Sequence, residues 1–493
     1  MEVSTRERSR SATIRKRLTH PIIDADGHTA EFEPVLVDYL REIAGPEAVA
    51  RFKSSPVGPF SYRWHQLSWE ERKAQRATRP HFWVHPTKNT LDRATSSLPK
   101  LLGERLDEFG IDFTVIYPSI GLFAIHAGDD LRRPLCRAYN RMSAQLYQCY
   151  SKRMTPVAVI PMNTPQEAIE ELDYAVSTLG LKAIVMAGFV RRPISEASRS
   201  GDGAARYAYW LDTLGLDSEY DYDPVWRKCI ELKVNPSFHS PSVGVGFRAS
   251  ISNFSFNHIG HFAAAAEGIC KSLFFGGVTR RFPELKFSFL EGGVAWACVL
   301  LNDLLSHWEK HGATALERFD PENIDHGMIS DLFARYGEEY GERRLNPESD
   351  KSALLWGSTR ENRQDLDEFA LCAIKRPTDI RELFVPPFYF GCEGDDRMTA
   401  LAYDRRMNAF GTRLNALYSS DLGHFDLPDM RDAAHKAYEL LEHELITPDD
   451  FRDFVFGAAV RFFTNLNLEF FKGTAIEAEV TKYLSASGAS ANR

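Results

Sequence analysis

His28, His239 and Asp421 lie far apart in the chain, yet each ends an apolar run with a residue able to hold a cation. Residues 21–28 read PIIDADGH, a short apolar stretch that breaks into Asp24, Asp26 and His28. Side chains alternate along a strand, so an extended stretch projects these three to the same side. A carboxylate and an imidazole two residues apart at a strand end can grip one metal ion together. Alone, an Asp-x-His pair is more often a turn acid beside a surface histidine. Here it has company. His239 closes the apolar run 234–238 and Asp421 closes 414–420, while Glu291 and Glu393 stand at the ends of two further runs.

Those runs belong to a regular alternation. Apolar segments recur at 21–28, 111–117, 156–161, 181–186, 233–239, 285–290, 387–391 and 414–420, eight in all. Helical spacing fills most of the gaps, at 101–109, at 131–153, at 165–178 ahead of Gly180, and at 223–232 with Pro224 in the first turn. Near-continuous apolar strands suit a parallel sheet buried on both faces. Eight of them in alternation with helices predict an α/β protein, a (β/α)8 TIM-like barrel, whose functional residues sit at the C-terminal ends of the strands. Two stretches interrupt the pattern and are expected to lie over that face. One, 45–99, holds Trp64, His65, Trp69, His81, Trp83 and His85, aromatics that either line a substrate pocket or pack the insertion itself. The other, 307–386, is charged, with helical patterns at 331–340 and 365–374. The expected plan is a disordered arm over 1–18, a barrel over 19–475 that includes an amphipathic helix at 448–468, and a tail over 476–493.

Composition excludes several classes of function. With 44% hydrophobic and 26% charged residues, the chain reads as an ordinary soluble globular protein. A net charge of −9 leaves no basic surplus to neutralise phosphates, which argues against non-specific nucleic-acid binding. No apolar run approaches the ~20 residues of a membrane span. The seven cysteines, odd in number and without a CxxC pair, suit a reducing compartment, and the expected location is the cytoplasm. The Arg- and Ser-rich start lacks the apolar core of a secretory signal and reads as a solvated arm. No Gly-rich phosphate loop calls for a nucleotide cofactor. The partner left is a small-molecule substrate.

Taken as ordered blocks, the sequence resembles the amidohydrolase-related (amidohydrolase-2) branch of the metal-dependent hydrolase superfamily, similar to aminocarboxymuconate-semialdehyde decarboxylase-like proteins. The blocks are IIDADGH at 22–28, RMTPVAVIPMNTPQEAIEEL at 153–172, YDPVWRKCIELKVNPSFH at 222–239, FFGGVTRRFPELKFSFLEGGVAW at 274–296 and SSDLGHFD at 419–426. The resemblance implies one divalent metal, usually zinc, with manganese or iron as alternatives. Its ligands would be Asp26, His28, His239 and Asp421, with Asp26 in place of the family's His or Glu. A divalent ion lowers the pKa of bound water toward ~7, and Asp421 is expected to act as general base.

Glu291-Gly292-Gly293 stands where the decarboxylases often carry His-Gly-Gly. Glu291 is therefore expected to be an acid/base or an added ligand, against the plainer alternative of a buried Glu paired with Arg or Lys. His258 and His261, with Glu291 and a shared Asp26, are candidates for a second metal position, and His258 joins the catalytic candidates. His424, where related sequences often have Pro-His, is a candidate for contact with substrate or metal. Glu31 and Glu33 read as helix N-terminal charges.

The implied function is a hydrolase or non-oxidative decarboxylase acting on a small carboxylated, aromatic or cyclic compound. An oxygenase with one or two nonheme irons, of the kind found in natural-product metabolism, is the alternative. A non-catalytic barrel is the third. The resemblance also implies a homo-oligomer.

Overall fold

The computed structural model describes residues 9–54, 63–80, 86–199, 207–312, 315–319, 323–338 and 367–486. The apolar runs form parallel strands. β1 (Ile23–Thr29), β2 (Phe113–Pro118) and β3 (Met154–Pro156) make one parallel sheet. β4 (Ala158–Ile160) follows across Val157 and pairs with β5 (Ile184–Met186), so the third expected run is a strand broken at one residue. An antiparallel hairpin of β6 (Val190–Pro193) and β7 (Tyr209–Asp212), absent from the sequence reading, comes next. β8 (Pro236–Phe238), β9 (Phe287–Phe289), β10 (Phe388–Glu393) and β11 (Asn415–Ser419) then extend β4 and β5 into a six-stranded parallel sheet. The fold is α/β with parallel sheets, and successive runs are neighbours. Between β11 and β1 the connection lies just past the strand ends, where Asp421 N donates to Asp26 O at 3.2 Å and His28 N to Leu422 O at 2.6 Å.

Burial explains the pattern. Every residue of β1, β2, β4, β5 and β9 is buried, as expected of strands covered on both faces. Phe238, Phe289 and Phe390 stack in a row, with centroids 5.8 and 5.9 Å apart. One residue earlier the side chains point the other way, where Ser237 Oγ accepts from Tyr117 (3.1 Å) and Ser288 (2.8 Å). His239 shares that second face with Ser237. The connecting helices begin and stop where the residues allow. Pro99–Phe109 ends on Gly110 at φ 72°, and Asp223–Glu231 starts with proline at its first turn.

Several expectations need correction. The arm expected over 1–18 contains a docked helix, Arg10–Arg17, with Ser11 and Ile14 buried and Arg15 paired to Asp112. Arginines that looked solvated lie on the outer side of an amphipathic turn. In the expected tail, Glu477–Ala486 is a helix that buries Val480. Helix Glu33–Ser54 runs into the first insertion, kinked at Gly45, with Pro46 opening its second half. Trp64 is buried under the guanidinium groups of Arg72 (3.6 Å) and Arg79 (4.1 Å), so it packs the insertion itself. His81, Trp83 and His85 lie outside the described residues. In the second insertion the helix expected at 331–340 is His326–Tyr336. The one expected at 365–374 is a series of turns from 367 onward.

Candidate metal centre

The strand ends deliver their polar residues to one buried point, and local backbone geometry decides which ones arrive. β1 carries a bulge between Asp24 and Gly27, so the simple alternation expected for Asp24, Asp26 and His28 fails. Asp24 is instead a brace. It accepts hydrogen bonds from Ser420 N (2.9 Å), Ser420 Oγ (2.7 Å), Thr114 Oγ1 (2.8 Å) and Asp26 N (3.2 Å). Burial pushes its pKa up to about 6, against the opposing pull of the Ser420 and Thr114 hydrogen bonds. Gly27 makes the bulge possible, because a Cβ there would lie 2.5 Å from both Asp24 Oδ2 and Thr114 Oγ1.

On the far side of the site Glu291 and Asp421 both adopt left-handed backbone, at φ 56° and 51°. Such conformations cost of order 1–3 kcal/mol in a non-glycine residue and persist only where the surroundings impose them. They turn both carboxylates inward directly after β9 and β11. Gly423, at φ 108°, lets the loop after β11 pass close to β1, since a Cβ would meet His28 O at 2.6 Å.

The result is a compact donor set. His28 Nε2 lies 3.3 Å from His239 Nε2, 3.4 Å from Asp26 Oδ1, 3.6 Å from Asp421 Oδ1 and 3.7 Å from Glu291 Oε2. His239 Nε2 is 2.9 Å from Glu291 Oε2 and 3.7 Å from Asp26 Oδ1. All five residues are buried. Among the described residues no Lys or Arg reaches Asp26, Glu291 or Asp421; their neighbours are imidazoles. Burial drives the pKa of His239 down to about 4, outweighing Asp26 and helped by His28. The imidazole is therefore neutral and offers a lone pair. Glu291 is pushed well above the carboxylate range by burial, then by Glu393, Asp426 and Asp26. Asp421 is raised by burial, then by Glu291, Asp426, Glu393 and Asp26.

Several carboxylates confined around a neutral His239 repel one another unless a cation intervenes. Both oxygens of Asp26 and of Glu291 are buried without a hydrogen-bond donor. Two imidazoles and a ring of carboxylates suit a divalent first-row ion. The donor set fits the metal.

Around this set is a second layer. His424 stacks on His28 at 4.0 Å, with Nδ1 2.7 Å from Asp421 Oδ1 and Nε2 2.7 Å from Ser119 Oγ. Glu31 does not sit on the helix that follows it. It crosses to the loop after β2 and accepts from the backbone N–H of Ser119 (3.1 Å), Ile120 (2.8 Å) and Gly121 (3.0 Å). Glu33 does lie in the first turn of its helix.

The structure thus brings Asp26, His28 and His239 together with Glu291, and joins Asp421 and His424 to His28 and Glu291. His258 comes together with Glu291, and the third donor there is Asp426 rather than His261. His261 lines the same cavity, its ring 4.8 Å from that of His258. Asp426 and Ser119 were missed, although Asp426 closes the SSDLGHFD block two residues after His424. Two cavities of about 280 and 220 Å3 open beside the cluster.

A family model described as amidohydrolase matches residues 78–344. No curated protein matches the sequence. Among solved structures the chain is similar to a dihydroxybenzoic acid decarboxylase from Polaromonas sp. JS666 with bound manganese and an inhibitor. They share 15% identity over 92% of this chain and 100% of that one, with a TM-score of 0.49. An amidohydrolase from Mycobacterium avium subsp. paratuberculosis K-10 shares 14% over 90% and 100%, at 0.48. A 5-carboxyvanillate decarboxylase from Sphingomonas paucimobilis shares 14% over 90% and 99%, at 0.46. Among the described residues no helix is long and apolar enough to cross a membrane.

Proposed function

The chain belongs to the amidohydrolase family, and from that premise we propose a metal-dependent hydrolase or non-oxidative decarboxylase acting on a small carboxylated, aromatic or cyclic compound. Hydrolysis takes precedence, because Glu291 stands where the decarboxylases it resembles carry histidine. One observation carries the reading: Asp26, His28, His239, Glu291 and Asp421 converge, buried, with no Lys or Arg among the described residues to neutralise them. We take the eight parallel runs as a closed (β/α)8 barrel whose C-terminal rim holds the site, covered by the two insertions.

Asp26, His28, His239 and Asp421 would hold the cation, zinc or manganese by preference. When bound, a divalent ion supplies Lewis acidity and a water of lowered pKa. The protein supplies position and proton handling. Asp421 Oδ1 is the base, and the proton it takes is shared with His424 Nδ1 2.7 Å away. Ser119 Oγ at His424 Nε2 fixes the ring's orientation. Glu31 in turn holds the Ser119 backbone in place. The adjoining cavities have room for a small molecule.

Metal analysis of protein purified without chelator tests the proposal. Zinc or manganese should be present, and His28→Ala and His239→Ala should lose it. Asp421→Ala should abolish turnover in a screen of carboxylated aromatics. A metal-free preparation, or variants that keep their metal, sinks the reading. A second reading, a nonheme iron oxygenase, is favoured by the two-histidine, one-carboxylate set of His28, His239 and Glu291. Iron in the purified protein and dioxygen uptake during turnover would select it.

A further inference from the structure

A cavity of about 270 Å3 lies between the start of helix Glu33–Ser54, the turn into Pro99–Phe109 and the helix Asp129–Tyr147. Its walls are Phe32, Val35, Leu98, Met142, Leu146 and Tyr147, and none of its lining residues belongs to the donor groups at the strand ends. We propose that this cavity binds a small neutral aromatic alcohol, a single ring bearing one hydroxyl, held through Ser143. The proposal goes beyond the metal-enzyme reading and does not depend on it.

Polarity is the first observation. The other polar groups of the wall are already engaged. Thr29 Oγ1 donates to Ser96 O at 3.1 Å, Ser97 Oγ donates to Ala30 O at 2.7 Å, and the Tyr147 hydroxyl is hydrogen-bonded to Thr29. Glu31 accepts from the backbone N–H groups of Ser119, Ile120 and Gly121. Ser143 differs. It is 1% exposed and its Oγ has no hydrogen-bond partner, and the neighbouring buried hydroxyl of Tyr139 completes no bond either. Leaving a buried hydroxyl unpaired is costly, and a ligand hydroxyl at Ser143 removes that cost.

Charge and size narrow the ligand further. Among the described residues no Lys, Arg or His lines the cavity, and Glu31 is its one ionisable acid. An entering carboxylate would meet another carboxylate and no cation, so the ligand is uncharged. An apolar cavity of roughly 150 Å3 is enough to take up benzene, so this one has room for a ring with a hydroxyl and a short alkyl tail. The rings of Phe32 and Tyr147 and the thioether of Met142 offer an aromatic guest favourable contacts. Phe32, Leu98 and Leu146 are 61%, 51% and 40% exposed around the opening, apolar surface that a bound ring draws out of water.

Isothermal titration calorimetry of the full-length protein as purified tests this with 4-ethylphenol, and with ethylbenzene to isolate the hydroxyl. 4-Ethylphenol should bind at one equivalent and about 5-fold more tightly than ethylbenzene, the effect of a single hydrogen bond. Ser143→Ala should abolish that preference while ethylbenzene binds as before. Leu146→Trp, a change at a partly exposed position that fills the opening, should lose both ligands, and it carries the test should Ser143→Ala fail to fold. 4-Ethylbenzoate should give no heat that Leu146→Trp removes. Absence of saturable 4-ethylphenol binding, equal affinity for the two probes in wild type, or 4-ethylphenol affinity unchanged by Leu146→Trp would each overturn the assignment.

Discussion

Two regions of this protein bury charge, and they settle it differently. In the helices Thr90–Thr95 and Pro99–Phe109, Asp92 and Arg105 are as deeply buried as the metal centre, yet the two charges are paired within the chain. Arg105 donates to Asp92 (2.7 Å), Thr95 (2.6 Å) and Glu108 (3.1 Å). The other Asp92 oxygen accepts from Asn89 Nδ2 (2.7 Å) and Met430 N (2.8 Å). At the rim the carboxylates of Asp26, Glu291 and Asp421 have imidazoles and one another. A chain that pairs its buried charges so fully in one place and leaves them open in another marks the open place as one completed from outside. Folding alone would not select it, because uncompensated buried charge is destabilising.

Substitutions should separate the two regions by sign. Arg105→Ala leaves Asp92 buried and unpaired and should destabilise the fold by about 3–5 kcal/mol, read as a lower urea midpoint with metal affinity unchanged. Glu291→Gln should do the reverse. It relieves the cost of burying an ionisable carboxyl beside Glu393, Asp426 and Asp26, so metal-free protein gains about 0.5–2 kcal/mol while metal binding weakens. Loss of stability in metal-free Glu291→Gln would erase the contrast.

A smaller effect is expected from the second layer. Ser119→Ala frees one side of His424 without touching a proposed ligand, and should lower metal affinity or activity by about 10–100-fold. Wild-type values would reduce Ser119 to packing.

The smallest effect comes from a third way of burying a titratable group, which is to keep it neutral. His126 stacks on Phe189, and burial, then Arg191 and Arg132, lower its pKa to about 4. The unfolded chain takes up that proton near the ordinary value of 6.5. Between pH 6.5 and 4 the unfolded state thus binds more protons, and stability falls as pH falls. His126→Phe should flatten that part of the stability–pH curve, measured by urea midpoints at successive pH values. An unchanged slope would assign the acid sensitivity elsewhere.

Much of this was legible before any coordinates. The eight strands were readable because residues buried on both faces must be apolar almost without a break, as in FTVIYP and FYFGCE. His28, His239, Glu291 and Asp421 stood out because a polar residue ending such a run has to face a rim. Less legible were short-range backbone events. The bulge at Gly27 broke the expected alternation of Asp24, Asp26 and His28 and left Asp24 as a brace. A helical face around Ser11 and Ile14 turned an arginine-rich arm into a docked helix.

Sequence by itself determined the parallel α/β class and the chemistry available at the strand ends, since both follow from local composition and period. Tertiary structure decided which donors share a point. It made Asp426 rather than His261 the third donor with His258 and Glu291, sent Glu31 across to the loop after β2, and placed Glu291 among three groups of donors. Those outcomes depend on residues up to hundreds of positions apart and on left-handed turns at Glu291 and Asp421, and no local pattern encodes such convergence.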